Sequence, residues 1–331
     1  MAFFRKKLFS SASAVRRKKE HDCYLKNGSC VLEELLALCD GNCRVPIRYF
    51  TAIEIHNAIK HSKTKMELRG VVLVTGSLDN RPVLVRFNRC KFFNIHRDIA
   101  ITAQMSHLKN VLRLIGCCLE FEEPVMVYEY VEAISLFDLL FKKDNLNRKS
   151  SLSWGSRLRV ARDVASAIVF LHTEFTTPII HRDIKPSNVI IDEKSGVAKI
   201  LNFSLSISLP PGELEVKDDG VCGTHGYIAP EYEHQLIITQ KTDVYSFGIL
   251  LFQLLTGKDV YDIMVGVRDN VLHIVDLTIF EEHGIEIEQP LKDYLDLAKK
   301  CTADKGDDRP YMIHVARELC RMEKCFRSWS K

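Results

Sequence analysis

The stretch His181-Arg182-Asp183-Ile184-Lys185-Pro186-Ser187-Asn188, followed by Asn202-Phe203-Ser204, decides the fold of this chain. The first stretch places a carboxylate, an ammonium group and a side-chain amide in one short loop. In the second stretch, Asn202 offers a single carbonyl oxygen and no charge, which makes it a poor ligand for a hard divalent cation. The chain therefore carries a polar loop beside a position that is unsuited to a metal ion.

The sequence before this loop predicts a small unit rich in β-strands. Residues 71–87 alternate between apolar and polar side chains and include many β-branched residues, and the turn at residues 78–82 divides them into a hairpin. A short helix is predicted over residues 95–105. Two more strands are predicted over residues 111–119 and 125–130. These elements form a sheet with one helix beside it.

The sequence around and after the loop predicts helices. Apolar residues recur at helical spacing between Leu158 and Leu171, so an amphipathic helix leads into the loop. Further helices are predicted over residues 244–255, 291–301 and 312–322. The most apolar of these stretches, residues 244–255, is too short and too interrupted by polar residues to span a membrane. A helical unit therefore follows the sheet, and the fold class is α+β.

Basic residues are concentrated at the N-terminus, although the formal net charge of the 331 residues is only +3. The basic side chains that precede the first acidic residue are Arg5, Lys6, Lys7, Arg16, Arg17, Lys18 and Lys19. This composition predicts a disordered tail over residues 1–22 or loose contact with an anionic membrane, and a transit segment is a further alternative. A secretory signal is not predicted, Ala2 excludes N-myristoylation, and no nucleic-acid partner is expected.

The cysteines predict a reducing compartment. There are 11, an odd number, and they show no paired spacing that would indicate a disulfide framework. Cys39 and Cys43 lie near each other but lack a second pair of ligands, so no metal site is expected there. The prediction is a cytoplasmic protein that can associate with the plasma membrane through its tail.

Several motifs at the spacing found in protein kinases extend over residues 45–322. Residues 127–130 resemble a kinase hinge, residues 223–231 the end of an activation segment, and residues 243–248 the start of a large buried helix. Arg309 resembles the late arginine that pairs with the carboxylate of Glu231. The resemblance implies a bilobal protein kinase fold, with the β-rich N-lobe over residues 53–130 and the helical C-lobe over residues 131–331.

The same resemblance implies a nucleotide site that is degenerate. Asp183, Lys185 and Asn188 match the catalytic loop, where an active kinase uses the aspartate as a proton acceptor and the asparagine as a metal ligand. Asn202 stands where the metal-binding aspartate is expected. We therefore expect Asp183 to be retained without activity, so that it serves folding rather than proton transfer.

The rest of the nucleotide site departs from the active pattern as well. Residues 70–76 place branched side chains where a phosphate-covering loop needs glycines. Arg86 replaces the strand lysine, and its carboxylate partner is Asp98, or Ile99 if the alignment shifts by one residue. Leu84 stands where a small residue covers the adenine ring, and Tyr128 and Tyr130 belong to the hinge. No cofactor is required, and binding of ATP and Mg²⁺ is expected to be weak or absent.

At a finer level, residues 114–120 are similar to plant receptor-like cytoplasmic kinases of the wall-associated-kinase-like group. Residues 24–29 and 45–48, with the altered metal motif, resemble plant immune pseudokinases that pair with a coiled-coil nucleotide-binding leucine-rich-repeat (NLR) receptor. The resemblance implies an adaptor that links the leucine-rich repeats of the receptor to a kinase modified by a pathogen effector, so its expected partners are a second receptor-like cytoplasmic kinase, a bacterial effector or both. Two alternatives remain: a weakly active serine/threonine kinase of the same group, and an allosteric scaffold for an unrelated kinase.

Two surfaces are predicted to bind these partners. The N-terminal extension over residues 23–52 is predicted to hold a short helix that starts at Ser29 and stops at Gly41. One face of that helix should bind the receptor, or else pack on the small lobe, and it carries Val31, Leu32, Leu35, Leu36 and Cys39. The activation segment over residues 202–231 is predicted to be mobile until the second kinase orders it. The acidic residues expected to recruit that kinase are Glu213, Glu215, Asp218 and Asp219.

Overall fold

A computed structural model of the chain describes residues 13–39, 46–62, 64–68, 70–89, 94–142, 152–266 and 275–329. Its first half is built on a six-stranded sheet with the strand order β1-β5-β6-β4-β3-β2. The strands are β1 Arg48–Tyr49, β2 Thr64–Leu68, β3 Val71–Leu78, β4 Arg81–Asn88, β5 Leu114–Cys118 and β6 Val125–Glu129. Strand β1 pairs with β5 in parallel, whereas the other neighbours in this sheet are antiparallel.

The hairpin of β3 and β4 confirms the turn predicted from the sequence. The register pairs Leu78 with Arg81, so Asp79 and Asn80 form a two-residue turn. Both residues have positive φ angles, 49° and 60°. A type I′ turn requires this conformation at both central positions, and aspartate and asparagine tolerate it better than most side chains. The turn therefore fixes the register of β3 against β4, the strand that carries both Leu84 and Arg86.

Three helices accompany this sheet, and the first of them is longer than the sequence predicts. They are α1 Ser13–Cys39, α2 Ala52–Ala58 and α3 Ile95–Met105. Residues 13–22, which were predicted to be disordered, belong to α1, and Ser29 lies inside this helix instead of capping it. Arginine, lysine and glutamate are good helix formers, and the helix is held by packing against α3. Residues 1–12, Gly41 and Cys43 lie outside the described residues.

The second half of the chain is mainly helical, as predicted. Its helices are α4 Leu136–Phe141, α5 Trp154–Thr173, α6 Pro230–Gln235, α7 Gln240–Thr256, α8 Val260–Gly266, α9 Leu277–His283, α10 Glu288–Cys301 and α11 Met312–Trp329. Helix α5 packs against α7 and α11, and α7 packs against α10. Within the described ranges, no helix is long and apolar enough to cross a membrane. The predicted α+β fold with a sheet lobe and a helical lobe is confirmed.

Short strands connect the two lobes and position the polar loop. They are β7 Ala133–Ser135, β8 Ile179–Ile180, β9 Val189–Asp192, β10 Ala198–Ile200, β11 Ile207–Ser208, β12 Glu215–Lys217 and β13 Ile237–Thr239. Strand β9 lies between β7 and β10, and β8 pairs with β11. The loop with Asp183 follows β8, and Asn202 follows β10. Both therefore lie at the junction of the two lobes.

Candidate functional site: a degenerate nucleotide site

The catalytic loop holds Asp183 in a complete set of hydrogen bonds. One carboxylate oxygen of Asp183 accepts a hydrogen bond of 2.7 Å from the hydroxyl of Thr224. The other accepts one of 2.8 Å from the side-chain amide of Asn188 and lies 2.8 Å from Nζ of Lys185. Lys185 also donates to the Thr224 hydroxyl at 2.6 Å. The three residues matched to the catalytic motif are therefore brought together, and Thr224, which the sequence analysis did not single out, completes the group.

Asp243 holds the backbone at the start of this loop. It lies in the first turn of α7, and its carboxylate accepts hydrogen bonds from the backbone amides of His181 and Arg182 at 2.8 and 2.9 Å. His172 Nε2 lies 3.0 Å from the same carboxylate. Burial pushes the pKa of Asp243 upward, but the hydrogen bonds from His172 and His181 outweigh burial and hold that pKa below its ordinary value. The loop therefore rests on a buried, ionised carboxylate.

The Arg86 guanidinium is the centre of a buried polar network on the opposite side of the cleft. Its Nη1 lies 2.8 Å from Asp98 Oδ2, and both side chains are fully buried. Nη2 donates to Asn202 Oδ1 at 2.9 Å, Nη1 to the Tyr128 hydroxyl at 3.3 Å, and Nε to Asn88 Oδ1 at 3.2 Å. Asp98, rather than Ile99, is thus the residue of α3 that faces Arg86. The guanidinium therefore donates its hydrogen bonds to protein groups.

Asn202 has no free oxygen for a metal ion. Its Oδ1 accepts hydrogen bonds from Arg86 Nη2 at 2.9 Å and from the Ser204 hydroxyl at 2.8 Å. A side-chain carbonyl oxygen has two lone pairs, so both are used. The amide nitrogen of Asn202 points to Asn188 Oδ1 at 3.3 Å, so it links the two residues that would otherwise share metal ions. These residues do not fit Mg²⁺, because the two side-chain oxygens already accept hydrogen bonds.

The same network ties the Asn202 stretch to α3. The backbone amide of Phe203 donates to Asp98 Oδ1 at 3.0 Å, and the Thr102 hydroxyl donates to the same oxygen at 3.1 Å. The Phe203 ring is buried against the His181 ring, with 5.2 Å between the centroids. Burial lowers the pKa of His181. Asp98 therefore joins the two lobes through Arg86 on one oxygen and Phe203 on the other.

Leu84 and Tyr128 are two buried residues of the predicted nucleotide site on neighbouring strands. Leu84 is fully buried, and its strand neighbour in the register is Tyr128. Tyr128 was predicted to line the hinge, but its hydroxyl reaches Arg86, so its side chain extends into the depth of the cleft. Sequence position alone does not show which side of a strand a side chain occupies, so this contact could not be predicted. Tyr130, two residues later on the same segment, is half-buried and packs against the core.

The connection that would cover the phosphates is short. The register of β2 and β3 pairs Leu68 with Val71, which leaves two positions between the strands. Val71, Val72 and Val74 are buried in the sheet. A cradle of backbone amides needs glycines, so that the chain can approach phosphate oxygens without a Cβ in the way. Residues 71–78 instead form the strand β3, with branched side chains.

The activation segment, for which a mobile chain is predicted, has backbone and side-chain partners. Strand β11 pairs with β8, and β12 pairs with β13, so the segment forms two ladders. Asp218 lies 2.8 Å from the guanidinium of Arg182 and does not face outward as a free acid. The acidic residues that remain exposed are Glu213, Glu215 and Asp219. The segment thus has ladder hydrogen bonds and an ion pair with Arg182, although its apolar content is low.

The Glu231 carboxylate pairs with Arg309 as the sequence suggested. Two guanidinium nitrogens of Arg309 donate to the two oxygens of Glu231, both at 2.8 Å. Such a two-bonded pair fixes direction as well as distance. It connects the end of the activation segment to the segment before α11.

The predicted receptor-binding stripe on α1 is divided by the structure. Val31 and Leu35 are buried in the core of the N-lobe, whereas Leu32 and Leu36 are exposed, at 56% and 54%. Residues four apart share a helix face, so the first pair lies on the inner face and the second pair on the outer face. The assignment of Val31 and Leu35 to a partner surface was therefore wrong. The side chain of Cys39 lies outside the described part of the structure.

Comparison with known proteins agrees with this fold and site. The protein kinase domain family matches residues 85–321. The chain is similar to the Arabidopsis thaliana serine/threonine-protein kinase ZRK1, with 33% identity over 98% of this chain and 100% of that protein. It is also similar to the Arabidopsis non-functional pseudokinases ZED1, with 35% identity over 93% and 98% of the two chains, and ZRK2, with 32% over 97% and 96%. The chain therefore belongs to the protein kinase family, and plant pseudokinases are among its relatives.

Proposed function

We propose that this protein is a pseudokinase adaptor of plant innate immunity that transfers no phosphate. In this role it links a coiled-coil NLR receptor, through the leucine-rich repeats, to a second receptor-like cytoplasmic kinase that a pathogen effector has modified. The observation that carries the proposal is the Arg86–Asp98–Asn202 network, which uses the groups that would otherwise position phosphates and metal ions. Relatives described as non-functional pseudokinases, matched over nearly the whole chain, support it.

The size of the chemical loss supports a role without catalysis. Removal of one preorganised electrostatic group from an active site costs about 10²–10³ in rate. Here Asn202 lacks the charge of a metal-binding aspartate, Arg86 donates to Asn202 and to the Tyr128 hydroxyl, and branched residues of β3 stand where glycines are needed. Even if these losses are not additive, the rate falls far below the ~1–100 s⁻¹ of an ordinary kinase. The chain then requires no ATP and no Mg²⁺ for its function.

The surfaces that remain exposed are the ones available to partners. The receptor would contact Leu32 and Leu36 on the outer face of α1, because these are large apolar side chains outside the core. The second kinase would contact Glu213, Glu215 and Asp219 on the activation segment. The protein would act in the cytoplasm, and its basic N-terminal residues would approach the plasma membrane through anionic lipids.

The experiment that tests this function is a purification from plant tissue with the tagged full-length chain. We expect a leucine-rich-repeat receptor and a receptor-like cytoplasmic kinase among the bound proteins. The matched control carries Leu32→Glu and Leu36→Glu and should lose the receptor while it keeps its fold. Recovery of a kinase alone, with no receptor in either sample, would instead support a scaffold for an unrelated kinase.

A second candidate function is weak serine/threonine kinase activity. It is favoured by one observation, the intact arrangement of Asp183, Lys185, Asn188 and Thr224. Incorporation of labelled phosphate by the unmutated protein, compared with an Asp183→Asn control, separates the two functions. Label that the control abolishes would establish the weak kinase.

A further inference from the structure

An ion pair connects the catalytic loop to the middle of the activation segment. Arg182 Nη1 lies 2.8 Å from Asp218 Oδ2, and the Arg182 side chain is 7% exposed. Arg182 has a positive φ angle of 67°, and its backbone amide is held by Asp243. Because the backbone of Arg182 is fixed, its side chain needs little rearrangement to pair with the carboxylate of Asp218.

Tyr232 extends this pair into a cluster. Its hydroxyl lies 3.1 Å from both Asp218 Oδ2 and the carbonyl of Gly220, and it accepts a hydrogen bond of 2.7 Å from the backbone amide of Cys222. The Arg182 guanidinium lies over the Tyr232 ring at 5.5 Å. Burial raises the pKa of Tyr232 to about 12, so the hydroxyl keeps the proton that it donates. We call Arg182, Asp218 and Tyr232 the segment clamp.

The backbone on the N-terminal side of Asp218 is ordered by a ladder. Strand β12 pairs with β13 from Glu215 opposite Thr239 to Lys217 opposite Ile237, and the amide of Asp218 donates to the carbonyl of Leu236 at 3.0 Å. Strand β13 leads directly into α7, which is fixed by its own core. The ladder and the segment clamp therefore meet at Asp218.

The sequence of this part of the segment offers no hydroxyl group for phosphorylation. In many kinases the activation segment becomes ordered when a phosphorylated residue pairs with arginine. Residues 209–223 contain no serine, threonine or tyrosine. The Thr224 hydroxyl that follows is already bound to Asp183 and Lys185. The carboxylate on Arg182 is thus supplied by the chain.

We propose that Asp218 is a built-in substitute for an added phosphate, which orders the activation segment of the free protein through Arg182. The outer face of the segment, with Leu214 at 77% exposure beside Glu213 and Glu215, then exists before a partner arrives. A partner that docks there does not have to supply the free energy of ordering the segment. The identity of that partner rests on the proposed function, but the ordering of the free segment does not.

The test is hydrogen–deuterium exchange on the full chain, produced in bacteria and treated with phosphatase, without any partner. In the unmutated protein we expect slow exchange of the backbone amides in residues 213–222. Asp218→Asn should make these amides exchange about tenfold faster or more, because a hydrogen bond to a charged group is lost. Asp219→Asn removes the same charge one residue away and should leave the exchange unchanged. Amides of α5 and α7 should be protected equally in all samples, which shows that the fold is intact.

Tyr232→Phe provides a second variant in case Asp218→Asn folds poorly. It removes only the hydroxyl of the segment clamp, so exchange in residues 213–222 should rise by less than in Asp218→Asn. The proposal is overturned if the phosphatase-treated unmutated segment exchanges as fast as an unfolded chain, or if Asp218→Asn behaves like Asp219→Asn. Neither result depends on the receptor or the second kinase, so failure here is distinct from failure of the adaptor function.

Discussion

At the scale of single residues, Arg86 binds several protein side chains at once. A guanidinium has five donors in a fixed plane, whereas an ammonium group has three donors on a flexible stem. Arg86 can therefore hold Asp98, Tyr128 and Asn202 at the same time. In an active kinase the residue at this position orients phosphates. Here Arg86 connects two strands, a helix and the stretch that contains Asn202. A charge is retained, but its function becomes structural.

The first prediction concerns this buried pair. Arg86→Met should lower the free energy of unfolding by about 3–5 kcal/mol, because Asp98 would remain buried with an unpaired charge. Arg86→Met combined with Asp98→Leu should recover a substantial part of that loss, since no charge is left in the core. Urea unfolding of the three proteins measures both values. A single variant as stable as the unmutated protein would contradict the network described here.

The second prediction concerns pH and His181. Its Nδ1 accepts a hydrogen bond from the backbone amide of Asp183 at 3.3 Å, and its Nε2 has no partner among the described residues. Protonation would break the first contact and place a charge in the core, which agrees with a pKa held by burial below the ordinary 6.5. A group with a lowered folded-state pKa stabilises the fold above its unfolded pKa, and that stability is lost as the pH falls.

The free energy of unfolding should therefore decrease between about pH 7 and about pH 5, and His181→Gln should decrease less over the same interval. Asp243 does not contribute in this window, because its lowered pKa affects stability only below its ordinary value of 3.8. Urea unfolding at several pH values gives the two slopes. Equal slopes for both proteins would show that another group is responsible.

At the scale of elements, α1 is part of the N-lobe. Glu34 on α1 accepts hydrogen bonds from Arg97 at 2.8 Å and from Asn94, the N-cap of α3, at 2.7 Å. The side-chain amide of Asn27 donates to the carbonyls of Leu119 and Phe121, both at 2.9 Å. Helix α3 carries Asp98. The N-terminal helix thus holds in place the element that positions the partner of Arg86.

The third prediction uses the two faces of α1. Val31→Glu with Leu35→Glu should strongly destabilise the protein, since each change buries a charge and removes an apolar contact. Leu32→Glu with Leu36→Glu introduces the same charges on the outer face and should change the free energy of unfolding by less than ~1 kcal/mol. Thermal unfolding compares the pairs, and a receptor-binding assay on the second pair tests the outer face. If the second pair binds like the unmutated protein, the receptor contacts another surface.

At the scale of the whole molecule, the two lobes of a kinase meet at a cleft that is crossed by hydrogen bonds between buried side chains. Arg86 binds Tyr128 of the N-lobe and Asn202, which follows β10. The catalytic loop below them retains its hydrogen bonds because Asp243 and Thr224 hold it from the C-lobe. The substitutions at Arg86 and Asn202 are therefore compatible with retention of the kinase fold.

The fourth prediction concerns nucleotide binding at this cleft. ATP with Mg²⁺ should raise the thermal midpoint little or not at all, and Mg²⁺ should add nothing to the effect of ATP, because a ligand stabilises only the state that it binds. Arg86→Lys with Asn202→Asp should restore little phosphotransfer, since Leu84 and the short β2–β3 connection remain. A thermal-shift titration and a radiolabel assay measure these outcomes. A large, Mg²⁺-dependent shift in the unmutated protein would contradict them.

The amino-acid sequence by itself determined the kinase fold, the order of its elements and the identity of the altered groups. The hairpin could be read from Asp79 and Asn80, and the missing charge at Asn202 from a single letter, because both depend on local chemistry. Likewise, the pairing of Arg86 with Asp98 was foreseen, since it rests on motif positions at known spacing.

Only the tertiary structure decided which face of each element is buried and which distant groups meet. It placed Val31 inside and Leu32 outside, turned the Tyr128 hydroxyl toward Arg86, and brought Asp218 to Arg182. A helical period shows that residues share a face, but it does not show what covers that face. Contacts between residues far apart in the chain depend on how whole elements pack, because packing selects the side chains that have a partner within hydrogen-bond distance.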